Sequence, residues 1–594
     1  MRRGPVAAWV AAMLAAVTAA RDARRMRVLF FLHAINYDRV FENLVREILS
    51  RGHRVHVALD SEKRGAPVGS GKVFASFRDE FSETFSYGRL ALPWDPFARL
   101  SWRLRLAIDY LRYLEPEYVD ATALRERAYK RAPRVARAIA GSRPLERPRR
   151  RRALGPLLRW LERSIPIQPA IDRLLVSEAP DVVLVAPLVG LGSKQGTYVR
   201  AAHQRRIPVV LPVASWDNLT NKGVIREAPD LTIVWNERQV REAVELHGIP
   251  RNRVASVGAH SFDHWFTWQP ARGRDEFLAH VGLQPGPFIL YACSSTFIAG
   301  DEVEFVTEWI RRLRQCPSAV LRNAHVLIRP HPQAAGQWAD ADMGEPGRVV
   351  IYPRAGAAPA EADAKADYYD SIRHSGAMVG INTSALVEAA ILDRPVLTIL
   401  NERFHGTQRG TLHFTHLTGE ADDGVLVTAA TWEEHFEQLA ACFESPGVYG
   451  ERIRRFIGEF VQPNGMRAPA APRAVDALEE LARRHHAEGV VQLQQPDPVS
   501  RALTRGLATI AACVPRWLFS AKHRRRRVAS MIRRTRARIG ALLIRLRVRA
   551  APTADGVQGE SDRATSETSG YDDRLLQPIA SDRPTDSADR VIPR

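Results

Sequence analysis

Hydrophobic residues fall along the chain in two alternating sets of strand-like and helix-like runs. Arg27–Ala34 (RVLFFLHA) is a continuous apolar run, the kind a parallel strand buried on both faces requires. Next, Val40, Phe41, Leu44, Val45, Ile48 and Leu49 recur at helical spacing, and Gly52 closes the helix. RVHVALD then supplies a second strand, so the opening has the pattern of a doubly wound, nucleotide-binding type of sheet. From Trp102 to Ile165 aromatic and basic residues alternate instead, and RPLERPRRRRALGPLLRWLER is Arg- and Pro-rich; this stretch reads as an insert. Regular alternation returns with the strand DVVLVAPL, a helix through KQGTYVRAAHQRR and the strand IPVVLPVAS. LTIVWN and VASVG follow as strands, with the helix ERQVREAVELHG between them.

A second set begins near Pro285. Its strands are PFILYACS, AHVLIRP, RVVIYP, AMVGIN and PVLTIL, and the helices TWEEHFEQLAACF and PRAVDALEELARRHH are expected to close it. The expected fold class is α/β: two doubly wound, Rossmann-like domains facing a cleft, over residues 26–284 and 285–493. Beyond Leu493 the chain turns basic and amphipathic, which predicts helices over 494–550. Residues 551–594 have the Ser-, Asp- and Thr-rich composition of a disordered tail. At the other end, a basic start and an apolar run from Val6 to Ala20 precede Met26, which stands directly before the first strand. Residues 1–25 therefore read as a leader or a mis-called start, an export signal or short anchor being the other readings.

Composition sharpens this picture at three points. With 594 residues the chain is too long for one core, and 45% hydrophobic with 25% charged residues is a globular balance. The net charge of +19 is concentrated from Arg516 to Arg549, where no acidic residue occurs. Such a block implies an anionic partner: phospholipid, nucleic acid or a polyanionic substrate. Trp517, Leu518, Phe519, Met531, Ile532, Ile539, Leu542 and Leu543 lie among those arginines, a mixture that favours an anionic membrane surface over nucleic acid. The four cysteines have no paired spacing, which points to a reducing compartment. The expectation is a cytoplasmic protein at the inner face of the plasma membrane.

Candidate chemistry gathers at strand ends. In GINTSALVEAAILDRPV a short apolar helix carries one carboxylate, Glu388, where a buried charge costs several kcal/mol unless a partner compensates it. Ser384 is a natural N-cap, and Glu388 comes one residue too late for a capping box. The functional reading puts a nucleotide diphosphate on Asn382, Thr383 and Ser384 and its ribose on Glu388. The alternative has Glu388 reaching solvent or pairing with Arg394. LIRPHPQ ends a strand with Arg329 and His331 held by Pro330 and Pro332, a guanidinium fork for phosphate beside an imidazole that can move a proton. Their other readings are an interdomain salt bridge and a turn residue. YACSSTF ends another strand, and Ser294, Ser295 and Thr296 can offer backbone amides to a phosphate.

In the first domain His33 stands at the first strand's tip, either as the base for an acceptor hydroxyl or as a satisfied strand-end histidine. Asp217, in SWDNLTNKG, is the rival base, with Lys222 a possible phosphate contact. FHGTQRGTLHFTHL lacks metal-ligand spacing and reads as a cleft loop, in which His413 is a possible base or phosphate contact. Asp340–Asp342 (DAD) matches a metal-holding pattern of some sugar transferases but sits in ordinary surface-loop sequence, so no metal is expected, and no cofactor either.

Over roughly Met26 to His486, the two doubly wound sets, RPHP at a strand tip and GINTSALVEAAILDRPV resemble the GT-B glycosyltransferase superfamily. Within it the chain is most similar to bacterial envelope enzymes of the CDP-glycerol glycerophosphotransferase-like and UDP-GlcNAc 2-epimerase-like groups. The resemblance implies a nucleotide-activated donor in the second domain, with Glu388 on its ribose and Arg329 and Ser384 on its diphosphate. It also implies a glycan or lipid-linked acceptor on the first domain and no essential metal. HAINYDR stands where many relatives carry a Gly-rich loop. The leading expectation is a glycosyl or polyol-phosphate transferase. A nucleotide-sugar epimerase on the same fold, and an inactive relative that binds membrane or nucleic acid, are the alternatives.

Overall fold

In the computed structural model, residues 25–61, 71–142, 153–356, 362–420, 423–466 and 468–488 are described, with single positions 499, 502 and 506. The leader, the basic amphipathic segment and the polar tail expected at 1–25, 494–550 and 551–594 lie outside them, apart from residue 25 and those single positions.

Two parallel sheets organise the chain. The first has seven strands, β1 (Arg27–Ala34), β2 (Arg54–Ser61), β3 (Phe85–Arg89), β4 (Val182–Ala186), β5 (Val209–Pro212), β6 (Leu231–Val234) and β7 (Val254–Ser256), in the order β3-β2-β1-β4-β5-β6-β7. The second has six, β8 (Phe288–Ala292), β9 (His325–Arg329), β10 (Val349–Ile351), β11 (Ala377–Val379), β12 (Val396–Ile399) and β13 (Leu426–Ala429), in the order β10-β9-β8-β11-β12-β13. Both orders reverse once, between β1 and β4 and between β8 and β11, which is where open α/β sheets place their ligands. This is the expected α/β class, two doubly wound, Rossmann-like domains.

The unbroken apolar runs follow from burial on both faces. In β1, Val28, Phe30 and Leu32 enter one core with Phe41, Leu44 and Ile48, while Leu29 and Phe31 enter the opposite core with Tyr198 and Val199. In β8, Phe288 and Leu290 face one core, and Ile289 and Tyr291 the other. The helix Ala470–Glu488 departs from expectation. Its stripe of Ala474, Val475, Leu478 and Ala482 packs into the first sheet's core, and Asp476 and Glu479 bind Arg51 at 2.6 and 3.2 Å. The helix expected to close the second domain covers the first.

The insert is helical over Ala98–Arg112, Thr122–Arg131, Arg134–Ala140 and Leu154–Arg163. It has its own small core, built from Tyr110, Tyr113, Tyr118, Leu124 and several alanines. No helix among the described residues is long and apolar enough to cross a membrane.

Candidate active site

β1 and β2 run side by side, so their carboxyl ends bring His33 and Asp60 together. His33 Nδ1 lies 3.1 Å from Asp60 Oδ1; the histidine side chain is 39% exposed and the aspartate side chain 1%. A buried carboxylate accepting from Nδ1–H fixes the ring and leaves Nε2, on the far side, able to take a proton. Lys194 donates to the Asp60 carbonyl at 3.0 Å. All three residues line a cavity of about 1010 Å³ over the tips of β1, β2 and β4, and Gln333 of the second domain reaches its wall. The sequence reading placed His33 at this tip but missed Asp60, although Asp60 ends RVHVALD on the strand beside it.

The loop after β5 closes one side of the cavity. Its carbonyls from 219 to 223 accept from the insert: Arg112 donates to Leu219 O, to Lys222 O at 3.1 Å and to Gly223 O at 2.8 Å. Tyr118 takes Thr220 O at 2.9 Å, Arg127 takes Asn221 O, and Tyr113 takes Lys222 O at 2.6 Å. Here the insert's alternating aromatic and basic residues form a clamp. Buried Asp109 of the insert accepts from Gly192 N at 2.7 Å and Val224 N at 3.0 Å, tying the loop after β4 to the same clamp. A Cβ on Gly223 would stand 2.8 Å from Asp109 Oδ1, so glycine is required there.

Asp217 is less suited to base catalysis than the sequence suggested. Burial would raise its pKa, but the charge of Lys222 and hydrogen bonds from Ser215 and Asn221 outweigh burial and hold it below the carboxylate range. Lys222 Nζ lies 3.3 Å from its carboxylate, so this cation is already paired. His413 is buried at the edge of Trp216, 3.5 Å from Asn221 Nδ2 and 3.3 Å from Asn382 Nδ2. Burial drives its pKa down to about 3, so at neutral pH it is an uncharged bridge between domains and no phosphate cation. The loop Phe404–Leu417 packs against the first domain, His413 beside Trp216 and His416 against Glu242, and lines none of the cavities described here.

At the second sheet's tips the candidate residues bind one another. Asn382 donates from Nδ2 to Thr407 O at 2.8 Å and from its backbone N to Ser294 Oγ at 3.4 Å. Ser294 N donates to Glu302 Oε2 at 2.8 Å; Ser295 O closes a turn by accepting from Ile298 and Ala299, and Thr296 is exposed. Arg329 is buried, donates to Ser371 Oγ at 2.9 Å and stacks 5.0 Å from the Tyr368 ring centre. It lines none of the cavities described here, so in this arrangement its fork is not offered to a diphosphate. His331 Nδ1 accepts from Gln333 N at 3.1 Å, which makes His331 the turn residue that places Gln333 at the large cavity. Asp342 Oδ1 accepts from Gly344 N at 3.0 Å in an ordinary turn.

Glu388 and Ser384 line a second, smaller cavity of about 230 Å³ between the domains, with Arg39, Trp216, Trp265 and Tyr368. Glu388 does not pair with Arg394, which donates to Leu392 O and Ser375 O. Its partner is Tyr368, whose hydroxyl donates to Oε2. Burial lifts the Glu388 carboxyl to about 7, against the pull of that hydrogen bond and of Arg39 and Arg329. Ser384 occupies the N-cap position of the helix Ala385–Ile391 without a side-chain cap; the neighbouring Thr383 Oγ1 accepts from Ala385 N at 3.4 Å instead. Two loops border both cavities: Tyr37 and Arg39 after β1, and Trp216 and Asn218 after β5, so the cavities are neighbours along one cleft.

No protein-family model and no curated protein matches the chain. Solved structures of similar fold include the UDP-GlcNAc 2-epimerase of Methanocaldococcus jannaschii, 11% identical over 76% of this chain and 99% of that one, with a TM-score of 0.42. The UDP-GlcNAc 2-epimerase of Neisseria meningitidis bound to UDP-GlcNAc is 13% identical over 77% and 100% of the two chains, with a TM-score of 0.44. These likenesses concern the fold and carry no statement about the reaction.

Proposed function

We propose that the chain is an enzyme that holds a nucleotide-activated sugar between its two domains and works on it with the His33–Asp60 pair. One observation supports this above others: a histidine oriented by a buried carboxylate opens onto a cavity of about 1010 Å³ lined from both domains. In this reading Glu388 and Ser384 take the ribose and diphosphate end in the neighbouring cavity, Tyr368 holds the Glu388 carboxyl, and His33 takes or returns a proton at the sugar. Rate enhancement then rests on orientation and on stabilising the leaving diphosphate, and the reading invokes neither metal nor cofactor.

Two reactions fit that placement. Epimerisation, for which the structures of similar fold are named, needs the nucleotide sugar alone. Transfer to an envelope glycan or lipid-linked acceptor needs room for a second molecule, and the volume beside His33 favours transfer. Calorimetric titration of the full chain with UDP-, GDP-, CDP- and TDP-sugars tests the common part. Glu388→Ala should weaken the best of them by about 1.5–3 kcal/mol, and unchanged affinity would remove Glu388 from the site. Turnover that requires an acceptor identifies transfer; turnover of the nucleotide sugar alone identifies epimerisation.

The basic segment Arg516–Arg549 completes the reading as an anchor on an anionic inner membrane face, each basic residue contributing about 1 kcal/mol near the surface. Vesicles containing anionic lipid should sediment the full chain but not a chain ending at Pro496. Equal partitioning of the two would remove the anchor.

A further inference from the structure

Six buried polar atoms, on residues that line the large cavity, are left without partners. Asp60 Oδ2, Gln168 Oε1, Asn218 Oδ1, the Tyr198 hydroxyl, Arg127 Nε and Arg200 Nε are buried, belong to residues of its wall, and have no hydrogen-bond partner among the described residues. Asp60, Tyr198 and Asn218 are at least nine-tenths buried. Such groups are costly to leave unmade, and a cluster of them around one open volume marks where an external molecule supplies the missing bonds.

The unmade bonds specify the chemistry of that molecule. Three are carboxylate or amide oxygens, which accept only, so the occupant must present several hydroxyl donors. The others are mostly guanidinium N–H groups, which need acceptors. Arg127 and Arg200 donate to the neutral carbonyls of Asn221, Glu162 and Ile165; the Glu227 and Glu162 carboxylates attract Arg200 without an ion pair to it among the described residues. Arg131 lies exposed on the wall with no ion pair among the described residues, and Lys194 binds only a carbonyl. The acids of the wall are Asp60 and Asp95, and Asp95 already accepts from Phe97 N at 2.8 Å. Trp102, half exposed, lends an apolar ring to the rim, suited to the flat face of a sugar.

We propose that this cavity binds a phosphorylated sugar or polyol, its hydroxyls on Asp60, Gln168 and Asn218 and its phosphate on Arg127, Arg131, Lys194 and Arg200. As the second substrate of a transfer at His33 it rests on the reading given under Proposed function; as a binding site it stands alone. A volume of about 1010 Å³ holds such a molecule with room for a substituent.

The test is calorimetry on the full chain with glucose 1-phosphate, glucose 6-phosphate, N-acetylglucosamine 1-phosphate and glycerol 3-phosphate, beside their neutral parents and inorganic phosphate. At least one phosphorylated compound should bind tenfold or more tightly than both its neutral parent and inorganic phosphate. Arg131→Ala and Gln168→Leu, both near the surface, should each weaken it at least fivefold with unchanged melting temperature. Inorganic phosphate binding equally well would reduce the site to an anion hole and overturn the proposal. So would neutral parents binding equally well, no phosphorylated compound binding, or both variants binding like the parent chain. Glu388→Ala separates the two readings: it should weaken nucleotide-sugar binding and leave the sugar phosphate untouched. Sugar-phosphate binding without any nucleotide-sugar binding would sink the proposed function and leave this site standing.

Discussion

The tips of the two sheets are furnished with the same kinds of residue and behave in opposite ways. Beyond β8, β9 and β11, Ser294, Arg329 and Asn382 bind Glu302, Ser371 and Thr407, and little of their hydrogen-bonding capacity is left for a ligand. Beyond β1, β2 and β5, Asp60 and Asn218 stand around an open volume with oxygens unmet. A polar residue at a strand tip is therefore a ligand residue only where the loops leave space between it and its neighbours. In the first domain the insert keeps that space open by drawing the 219–223 carbonyls toward itself.

The largest expected effect would break the comparison at the open tips. His33→Ala should lower turnover about 10²–10⁴-fold with nucleotide affinity unchanged, and Asp60→Asn should fall between that variant and the parent chain. Unchanged turnover in His33→Ala would make the His33–Asp60 pair structural. Next comes the clamp. Arg112→Ala removes a donor from three carbonyls, of which Lys222 O keeps Tyr113 and Leu219 O lies 2.8 Å from His247 Nε2, and should cost about 1–3 kcal/mol in urea unfolding, with Arg112→Lys recovering only part.

The closed tips offer a pH test. Burial raises Glu302 from 4.5 to about 8, opposed by hydrogen bonds from Ser294 N and Tyr291. A carboxyl whose folded pKa is raised contributes stability fully below the unfolded value and loses it as pH climbs through the folded value, here between 4.5 and about 8. Glu302→Gln keeps an acceptor and cannot ionise. It should match the parent chain at pH 5 and exceed it by about 1–3 kcal/mol at pH 9, as read by thermal unfolding. A constant difference across that range would mean Glu302 titrates normally. The smallest effect concerns Arg329. Because its guanidinium lies on the Tyr368 ring, Arg329→Lys should cost about 1 kcal/mol of stability and weaken nucleotide binding less than Glu388→Ala does. A larger loss of binding would restore Arg329 to direct phosphate contact.

Much of the fold was legible because burial on both faces leaves an unmistakable mark: Val28 to Leu32 and Phe288 to Tyr291 can be nothing but interior strands. His33 and Glu388 stood out in the sequence because each interrupts such a pattern, at a strand end or in an apolar helix, and each lines a cavity. What escaped was partnership across sequence distance. Tyr368, in a helix preceding β11, gave no sign that it would hold Glu388, and Asp60 looked like an ordinary end of strand. The insert read only as an Arg- and Pro-rich stretch of alternating aromatic and basic residues, and nothing in it showed that Arg112 would serve neutral carbonyls. Charge in a sequence shows that a cation is present and not which acceptor lies nearest.

The return of the helix Ala470–Glu488 to the first sheet has a consequence for the order of synthesis. Leu44, Val45 and Ile48 share a core with residues made more than four hundred positions later, so the first domain to leave the ribosome is the last to be finished. Until that helix emerges, the nascent chain carries an uncovered apolar face, and the second domain has time to fold in its presence. The two halves of this protein cannot mature independently: completion of one is the signal that the other has already been made.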